Sequence, residues 1–271
     1  MESACFLAFD LGATSGRAML GTLSRGRLSL EEVHRFPNRI VSKDGHLHWD
    51  FDALYGEILN GLKRAFATGA DIRSVGIDTW GVDVAFFDGE GELVAQPYCY
   101  RDPGFTGASD RFFAEQMDRE RLYARTGIQV LDFNTLFQLD SLRRRGSREL
   151  SRAAHILFLP DALTYRLTGR MVTEYTIAST SHLLDPLQRR FDPELLSAVG
   201  IAPGRFAPMV QPGTVTGVLR ADIARECGVS GAAIHQRVKR LEANGVITGS
   251  RLLVKPQALG LNVCAFVSVS L

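Results

Sequence analysis

The order of strand-like and helix-like segments near the N-terminus constrains the fold of this chain more than any other feature. Apolar runs suited to strands follow one another with short turns rich in Gly, Ser and Thr, and one amphipathic helix interrupts them. The strand candidates are residues 5–9, 17–23, 27–36, 72–77 and 82–87. The helix candidate starts after Asp50, a good N-cap, and its apolar residues recur every three or four positions until Gly69. This order predicts an α/β fold with a mixed sheet.

The segments after residue 130 continue the same pattern. A helix is predicted over 134–145, a buried strand over 155–159, and a further helix from Pro160 to about Thr168. Residues 185–217 are rich in Pro and Gly, so we expect loops there with one short helix.

Composition places the chain among ordinary globular proteins. Of its 271 residues, 45% are hydrophobic and 23% are charged, which excludes wholesale disorder and a fibrous structure. The four cysteines form no CxxC pair, which argues against a zinc ribbon or a thioredoxin-like site. The N-terminus lacks the features of a signal peptide, and no run of about 18 apolar residues occurs. We therefore expect a cytoplasmic protein with no membrane partner.

The turn between the first two strand candidates has the composition of a phosphate-binding loop. Its residues are Ala13, Thr14, Ser15, Gly16 and Arg17, preceded by Asp10 and Gly12. The glycines would let backbone N–H groups approach an anion, the hydroxyls add donors, and the arginine adds a fixed charge. Asp10 could orient a metal-bound water. The loop is neither a Walker A motif nor a dinucleotide fingerprint, because it lacks Gly-Lys-Ser/Thr and leads into a strand. The alternative is an ordinary polar hairpin turn.

A second group of chemically active residues follows the strand at 72–77. Trp80 stands between Asp78 and Asp83, next to Gly81. Carbohydrates are commonly held by an aromatic face together with carboxylates that accept hydroxyl hydrogen bonds. The sequence therefore predicts a sugar site here. The alternative is that Trp80 anchors the core and the carboxylates cap turns.

Both loops lie within segments that resemble the rhamnulokinases, sugar kinases of the FGGY family. The segments are CFLAFDLGATSGRAMLGTL (5–23), GIDTWGVDVAFFDGEGEL (76–93), PYCYRD (97–102), TGIQVLDFNTLFQL (126–139) and FLPDALTYRLTGRMVTEYTIAST (158–180). They occur in the family's order, and the resemblance covers about residues 4–225.

The resemblance implies an actin/hexokinase-like fold, in which two ribonuclease-H-like domains close on a cleft. It also implies transfer of the γ-phosphate of Mg-ATP to the 1-hydroxyl of L-rhamnulose. By position, residues 13–17 would contact the ATP phosphates, and Asp10 would lie near Mg²⁺. Trp80, Gly81 and Asp83 would line the sugar pocket. Phosphoryl transfer depends mainly on positioning and charge neutralisation, which a backbone-rich loop and Mg²⁺ can supply.

The resemblance further implies that parts of a kinase are missing from this sequence. In the family the catalytic base is an Asp in a SHDTAS-like segment, just after the matched region, and a second domain holds the adenosine. Neither is found here. Loss of a general base commonly lowers a rate by about 10²–10⁴-fold. We therefore expect half a cleft, without a catalytic base and without turnover.

The last fifty or so residues have a different charge. Although the whole chain has a net charge of +1, residues 220–271 contain seven basic and three acidic side chains. A short helix and glycine turn are predicted over 221–230 and a second helix over 231–244, as in a helix-turn-helix. The candidate DNA contacts are His235, Gln236, Arg237, Lys239 and Arg240. The alternative is a basic amphipathic helix packed on the kinase-like domain.

Residues 222–271 resemble the winged helix-turn-helix of the Lrp/AsnC-family transcription regulators, which implies a DNA partner. The first helix of that unit has no good counterpart here and the match stops after the first strand of the sensing domain, so we expect only weak, non-specific DNA binding. The sequence thus predicts a mosaic, with a kinase-like N-terminal domain over 1–218 and a partial winged helix-turn-helix over 219–271. Three functions remain open: a carbohydrate kinase, a DNA-binding regulator, and a sugar-binding half-domain without turnover. We favour the kinase family, with ATP, Mg²⁺ and a ketose sugar as ligands.

Overall fold

The computed structural model describes residues 4–228. The strands are β1 (Ala4–Leu11), β2 (Ser15–Ser24), β3 (Arg27–Pro37), β4 (Ile40–Lys43), β5 (His46–Trp49), β6 (Ile72–Thr79), β7 (Val84–Phe87), β8 (His155–Phe158), β9 (Thr173–Glu174), β10 (Leu184–Asp185), β11 (Arg190–Phe191) and β12 (Met209–Val210). The helices are α1 (Phe51–Ala67), α2 (Ala108–Glu115), α3 (Arg119–Thr126), α4 (Thr135–Arg144), α5 (Arg148–Arg152), α6 (Leu159–Thr168), α7 (Tyr175–Ala178), α8 (Pro193–Ala198) and α9 (Ala221–Glu226). Short 3-10 turns span Pro103–Phe105, Ser179–Ser181 and Pro203–Arg205.

A four-stranded sheet in the order β3-β2-β1-β6 forms the centre of the fold. β1, β2 and β3 are consecutive antiparallel strands, whereas β6 lies parallel to β1 on its other side. A parallel neighbour needs a crossover connection, and α1 lies in the connection between β3 and β6. The predicted α/β class and mixed sheet are confirmed.

The helix α1 packs its apolar stripe against this sheet. The Asp50 carboxylate accepts a hydrogen bond from the Ala53 N–H at 3.0 Å, which caps the helix as predicted, and Gly69 follows its end with φ +74°. The buried residues of the stripe are Phe51, Leu54, Ile58, Gly61, Leu62 and Ala65. Gly61 allows the close approach, because a Cβ atom there would lie 2.6 Å from Phe9 Cε1.

The antiparallel pair β7–β8 lies between two hydrophobic clusters. Ala85, Phe87 and Leu157 belong to the cluster around the central sheet, α1 and α6. Phe86 and Ile156, on the opposite face, belong to the cluster built from α2, α4 and α8. Strands buried on both faces have continuous apolar sequences, which explains why these two strands were recognisable. The predicted strand at 82–87 begins later, at Val84, and the conformation of the preceding residues is described below.

The short helix α9 confirms the helix predicted just after residue 220, and it packs on the domain that precedes it. Ile223 and Cys227 belong to the cluster around the central sheet. Lys63 Nζ in α1 donates to Glu226 Oε1 at 2.8 Å, and the Arg220 N–H donates to the Leu167 carbonyl at 2.9 Å. Residues 220–227 are therefore part of the same packed unit as the central sheet, and the domain boundary at 218 stays a prediction.

The rest of the predicted DNA-binding unit lies outside the described residues. This applies to the helix at 231–244, to the wing, and to the candidate contacts His235, Gln236, Arg237, Lys239 and Arg240. Between residues 4 and 228, no helix combines the length and apolar character needed to cross a bilayer.

Candidate functional site

The two candidate loops leave the same edge of the central sheet. The parallel register of β1 and β6 pairs Asp10 with Asp78 and Leu11 with Thr79. Because adjacent strands are about 4.8 Å apart, the loop that follows β1 and the loop that begins at Trp80 start side by side. Ligands of open α/β sheets bind at the carboxyl ends of the strands, so this edge is the candidate active site.

The loop after β1 is held in shape by a residue that follows β3. The Gly12 N–H donates to the Ser15 carbonyl at 2.9 Å and closes the turn. The Asn38 N–H donates to the Thr14 carbonyl at 3.0 Å, and Asn38 Nδ2 donates to the Gly12 carbonyl at 3.1 Å. Ala13 and Ser15 are half-buried, whereas Thr14 is exposed and open to a ligand.

The position of Gly16 differs from the one expected for a glycine of a phosphate-binding loop. It was expected to let the backbone approach a phosphate, yet it is a buried residue within β2. A Cβ atom at this position would lie 2.4 Å from Phe36 Cζ and 2.9 Å from Leu11 Cδ2. The absence of a side chain here is required by the packing of β2 against its two neighbours.

Asp10 and Arg17 form a cross-strand ion pair beside the loop. Arg17 Nη2 and Nε lie 2.7 and 2.8 Å from Asp10 Oδ2, and both side chains are about half exposed. The two residues are register partners on β1 and β2, so this contact follows directly from the strand pairing. The predicted phosphate-binding arginine and the predicted metal-associated carboxylate are therefore in contact with each other.

A second carboxylate lies next to Asp10. Burial, followed by the nearby charge of Asp10, raises the pKa of the Asp78 carboxyl above its ordinary value. Mg²⁺ is commonly held by one or two carboxylates together with water and substrate phosphates. Among residues 4–228, no group of three or more His, Cys, Asp or Glu side chains could hold a metal ion. The adjacent carboxylates of Asp10 and Asp78 are a donor pair of the kind that suits a Mg²⁺ ion sharing its coordination with phosphate and water.

Asp83 is a buried residue and does not reach the protein surface. Its side chain is 1% exposed. Oδ2 accepts hydrogen bonds from Trp49 Nε1 at 2.6 Å, from Trp80 Nε1 at 2.9 Å and from the Tyr100 N–H at 3.2 Å. Oδ1 accepts one from Gln138 Nε2 at 2.9 Å. The prediction that Asp83 contacts the sugar does not agree with this geometry, because four protein donors and burial separate the carboxylate from a ligand.

The backbone between Trp80 and Asp83 is strained. Val82 has φ +72°, a value that β-branched residues rarely adopt, and the Asp83 N–H donates to the Gly81 carbonyl at 3.0 Å in a γ-turn. Two threonines hold this turn. Thr180 Oγ1 accepts from the Val82 N–H at 3.1 Å, and Thr135 Oγ1 donates to the Val82 carbonyl at 2.7 Å. Such strain persists where the surroundings fix it, and it is concentrated at functional sites.

Half-buried aromatic rings continue from this turn. Trp80 packs on the fully buried Trp49, with ring centroids 4.2 Å apart. The Tyr100 ring lies 6.1 Å from Trp49 and 5.3 Å from Phe133. Trp80, Tyr100 and Phe133 are each partly exposed and provide apolar faces suited to a sugar ring. Gly81 is also partly exposed, and a Cβ atom there would approach the Thr180 side chain to 3.0 Å.

The structure adds residues that sequence reasoning missed. Asn38, Trp49 and Gln138 reach the site from segments far away along the chain, so no local pattern could identify them. The sequence already shows Asp78 as a carboxylate near Trp80, and the structure adds its position opposite Asp10. Phe133 and Gln138 lie in the segment 126–139 that carries the family resemblance, although neither was singled out there.

Solved structures define the class of fold. The gluconate kinase from Lactobacillus acidophilus matches with a TM-score of 0.73 and 18% sequence identity, over 85% of this chain and 46% of that chain. At this identity the match shows a shared fold. The described domain therefore shares its fold with about half of that kinase, as expected for the N-terminal domain.

The chain belongs to the FGGY family of carbohydrate kinases, because the model of that family's N-terminal domain matches residues 5–235. A rhamnulokinase from Bacteroides thetaiotaomicron is 46% identical over 251 residues, which cover 93% of this chain and 50% of the relative. A rhamnulokinase from Pectobacterium carotovorum is 45% identical over 231 residues, which cover 84% of this chain and 46% of the relative.

The extent of these matches bears on the C-terminal segment. The chain spans about half the length of the curated relatives it matches. The family model reaches residue 235, and a match over 93% of the chain extends further still. These comparisons support the kinase part of the predicted mosaic and give no support to a helix-turn-helix or to a DNA partner.

Proposed function

We propose that this chain is the sugar-binding half of a rhamnulokinase-type kinase, which phosphorylates the 1-hydroxyl of L-rhamnulose with Mg-ATP. The observation that carries the proposal is the shared sheet edge. The phosphate-type loop and the Trp80–Asp83 loop follow adjacent parallel strands, with Asp10 opposite Asp78. Phosphoryl transfer needs the sugar hydroxyl and the γ-phosphate to meet, and the closeness of the two loops at this edge supports the proposal.

Different residues of this edge would bind the phosphates, the sugar and Mg²⁺. Backbone and hydroxyl donors of residues 12–15, with Arg17, would hold the phosphates, and the aromatic faces near Trp80 would hold the sugar. Asp10 and Asp78 would bind Mg²⁺, which when bound supplies neutralisation of phosphate charge. Arg17 would have to shift part of its interaction from Asp10 to phosphate oxygen atoms. The half-exposed state of both side chains permits that shift.

The proposal is tested by calorimetric titration of the chain with L-rhamnulose, in the presence and absence of Mg-ATP. We expect saturable binding of the ketose, accompanied by a change in tryptophan fluorescence, because both tryptophans of the chain lie at the site. L-rhamnose, the corresponding aldose, is the control sugar and should bind more weakly. Equal binding of both sugars, or binding of neither, would contradict the proposal. ADP release in the same samples tests the predicted absence of turnover.

Replacing Arg17 with methionine should weaken Mg-ATP binding by about tenfold or more, the loss expected for a charge-assisted contact to phosphate. The matched control is Arg27→Met, which removes an exposed arginine from the far end of the β2–β3 hairpin. Nucleotide affinity can be measured by calorimetry. Equal affinity of the two variants would show that Arg17 does not contact the phosphates.

A further inference from the structure

Both tryptophans of this chain donate to a single carboxylate oxygen atom. Trp49 Nε1 and Trp80 Nε1 lie 2.6 and 2.9 Å from Asp83 Oδ2, and the Tyr100 N–H donates to the same atom. The sequence contains two tryptophans in total. Hydrogen bonds to an ionised acceptor are about twice as strong as neutral ones, so this oxygen atom is a strong point of attachment for both rings.

The Asp83 carboxylate also joins separate parts of the fold. Trp49 ends β5, Trp80 follows β6, Tyr100 lies in the connection after β7, and Gln138 belongs to α4. All four donors are N–H groups, which cannot accept a proton from a carboxylic acid. The arrangement is therefore complementary to the ionised carboxylate and fixes four segments relative to one another.

Trp80 is the one of the two tryptophans that reaches the surface. Trp49 is 0% exposed, so it has no access to a ligand, whereas Trp80 is partly exposed at the carboxyl end of β6. The indole of Trp80 is fixed at its nitrogen by Asp83 and along its ring by Trp49. Its orientation thus depends on residues that a sugar does not touch.

We propose that Asp83 is a positioning residue, whose buried carboxylate orients the Trp80 indole as one wall of the sugar site and holds the strained turn at Val82. This inference rests on the proposed function for the identity of the sugar, and on the hydrogen-bond geometry for the role of Asp83. In this role Asp83 does not bind a sugar hydroxyl directly but acts on the sugar site through Trp80. It also brings the buried Trp49 into the specificity of the site.

The strain at Val82 supports this role. The Gly81–Asp83 γ-turn would relax if its supports were lost, because L-residues with φ near +70° are unfavourable. Asp83 closes the turn through its own N–H and anchors its side chain beneath it. One residue thereby fixes the backbone of Gly81 and the ring of Trp80 together.

The free protein provides the first test, by ¹H–¹⁵N spectra of the chain labelled at its tryptophan indoles. Two indole signals are expected, one for each tryptophan. Asp83→Asn should shift both signals in the absence of any ligand, because both N–H groups lose the same ionised acceptor. The control Asp44→Asn changes an exposed turn residue between β4 and β5 and should shift neither signal. Unchanged indole signals in a folded Asp83→Asn protein would overturn the proposal.

The second test measures L-rhamnulose binding. Trp49→Phe keeps a ring at the buried position and removes its hydrogen bond, leaving Asp83 in place. We expect this variant to shift the remaining Trp80 signal and to weaken L-rhamnulose binding by about tenfold, although Trp49 has no access to the sugar. A Trp49→Phe variant with an unshifted Trp80 signal and wild-type affinity would overturn the proposal even if Asp83→Asn failed to fold.

The two tests separate this inference from the proposed function. If the indole signals respond to Asp83→Asn and the wild type does not bind L-rhamnulose, the proposed sugar is wrong and the positioning of Trp80 by Asp83 stands. If L-rhamnulose binds and Asp83→Asn leaves the indole signals unshifted, the proposed function stands and the positioning role is wrong. If the indole signals respond to Asp83→Asn and Trp49→Phe weakens L-rhamnulose binding, both the positioning role and the proposed function are supported.

Discussion

Replacing Gly16 with valine should destabilise the domain by about 3 kcal/mol or more, the upper part of the range for overpacked cores. A Cβ atom at Gly16 would lie 2.4 and 2.5 Å from two atoms of the Phe36 ring and 2.9 Å from Leu11 Cδ2. Both neighbours are buried, at 3% and 1% exposure, so neither side chain can turn away into solvent. Relief requires a shift of β1 or β3 relative to β2. We therefore expect lost stability together with lost nucleotide binding.

The same strand contains a matched control. A Cβ atom at Gly21 would meet Leu28 and Leu30 side-chain atoms at 3.5 Å, an ordinary contact distance, and both leucines are exposed and free to move. Gly21→Val should therefore change the free energy of unfolding little, because valine also suits a strand. Urea denaturation of the two variants measures the difference. Equal stabilities would show that the packing around Gly16 is not what requires glycine.

The stability of the protein should depend on the ionisation of Asp83. Burial raises the pKa of this carboxyl from an ordinary value of 3.8 to about 6, although the Trp49, Gln138, Trp80 and Tyr100 donors favour its charged form. Because the pKa in the folded state lies above that in the unfolded state, the folded state holds this proton more tightly. The contribution of Asp83 to stability therefore falls as the pH rises from about 4 to about 6 and is constant above.

The expected size of this effect is about 2 kcal/mol between pH 4 and pH 7, from the shift in pKa. The effect of Asp83 is measured as the difference in the free energy of unfolding between the wild type and Asp83→Asn. This difference is needed because other carboxyl groups change the stability with pH in the opposite direction. Asp132 is an example, since hydrogen bonds from Ser109 and Gly107 outweigh its burial and lower its pKa. A difference that does not change with pH would contradict the prediction. Tryptophan fluorescence of the wild type should titrate with a midpoint near pH 6.

Local sequence patterns were sufficient for the elements that build the sheet edge. The antiparallel start, the capped helix α1 and the strands β6 and β8 were recognisable because each depends on periodicity and turn residues within about ten to twenty positions. The pairing of Asp10 with Arg17 also follows from the hairpin once its turn is known. Residue composition also marks both loops, and the family resemblance implies ATP phosphate as the ligand of one and a sugar as the ligand of the other.

The C-terminal segment shows what a local pattern leaves open. A short helix and a glycine turn were predicted correctly after residue 220, and they were interpreted as part of a DNA-binding unit. In the structure Ile223 packs into the cluster around the central sheet, and Lys63 pairs with Glu226. The apolar side of a short amphipathic helix predicts that this side is buried, but it does not predict which surface covers it.

Sequence patterns alone place Asp10 near the end of one strand of an α/β sheet, residues 12–17 around the turn that follows, and the Trp80–Asp83 segment after another strand. The contacts among these residues depend on the tertiary structure. It brought Trp49 and Gln138 to Asp83 across 34 and 55 positions of the chain, and turned Gly16 towards Phe36. The physical reason is that secondary structure depends on nearby residues, whereas burial, hydrogen-bond partners and the resulting pKa of Asp83 depend on which distant segments pack together.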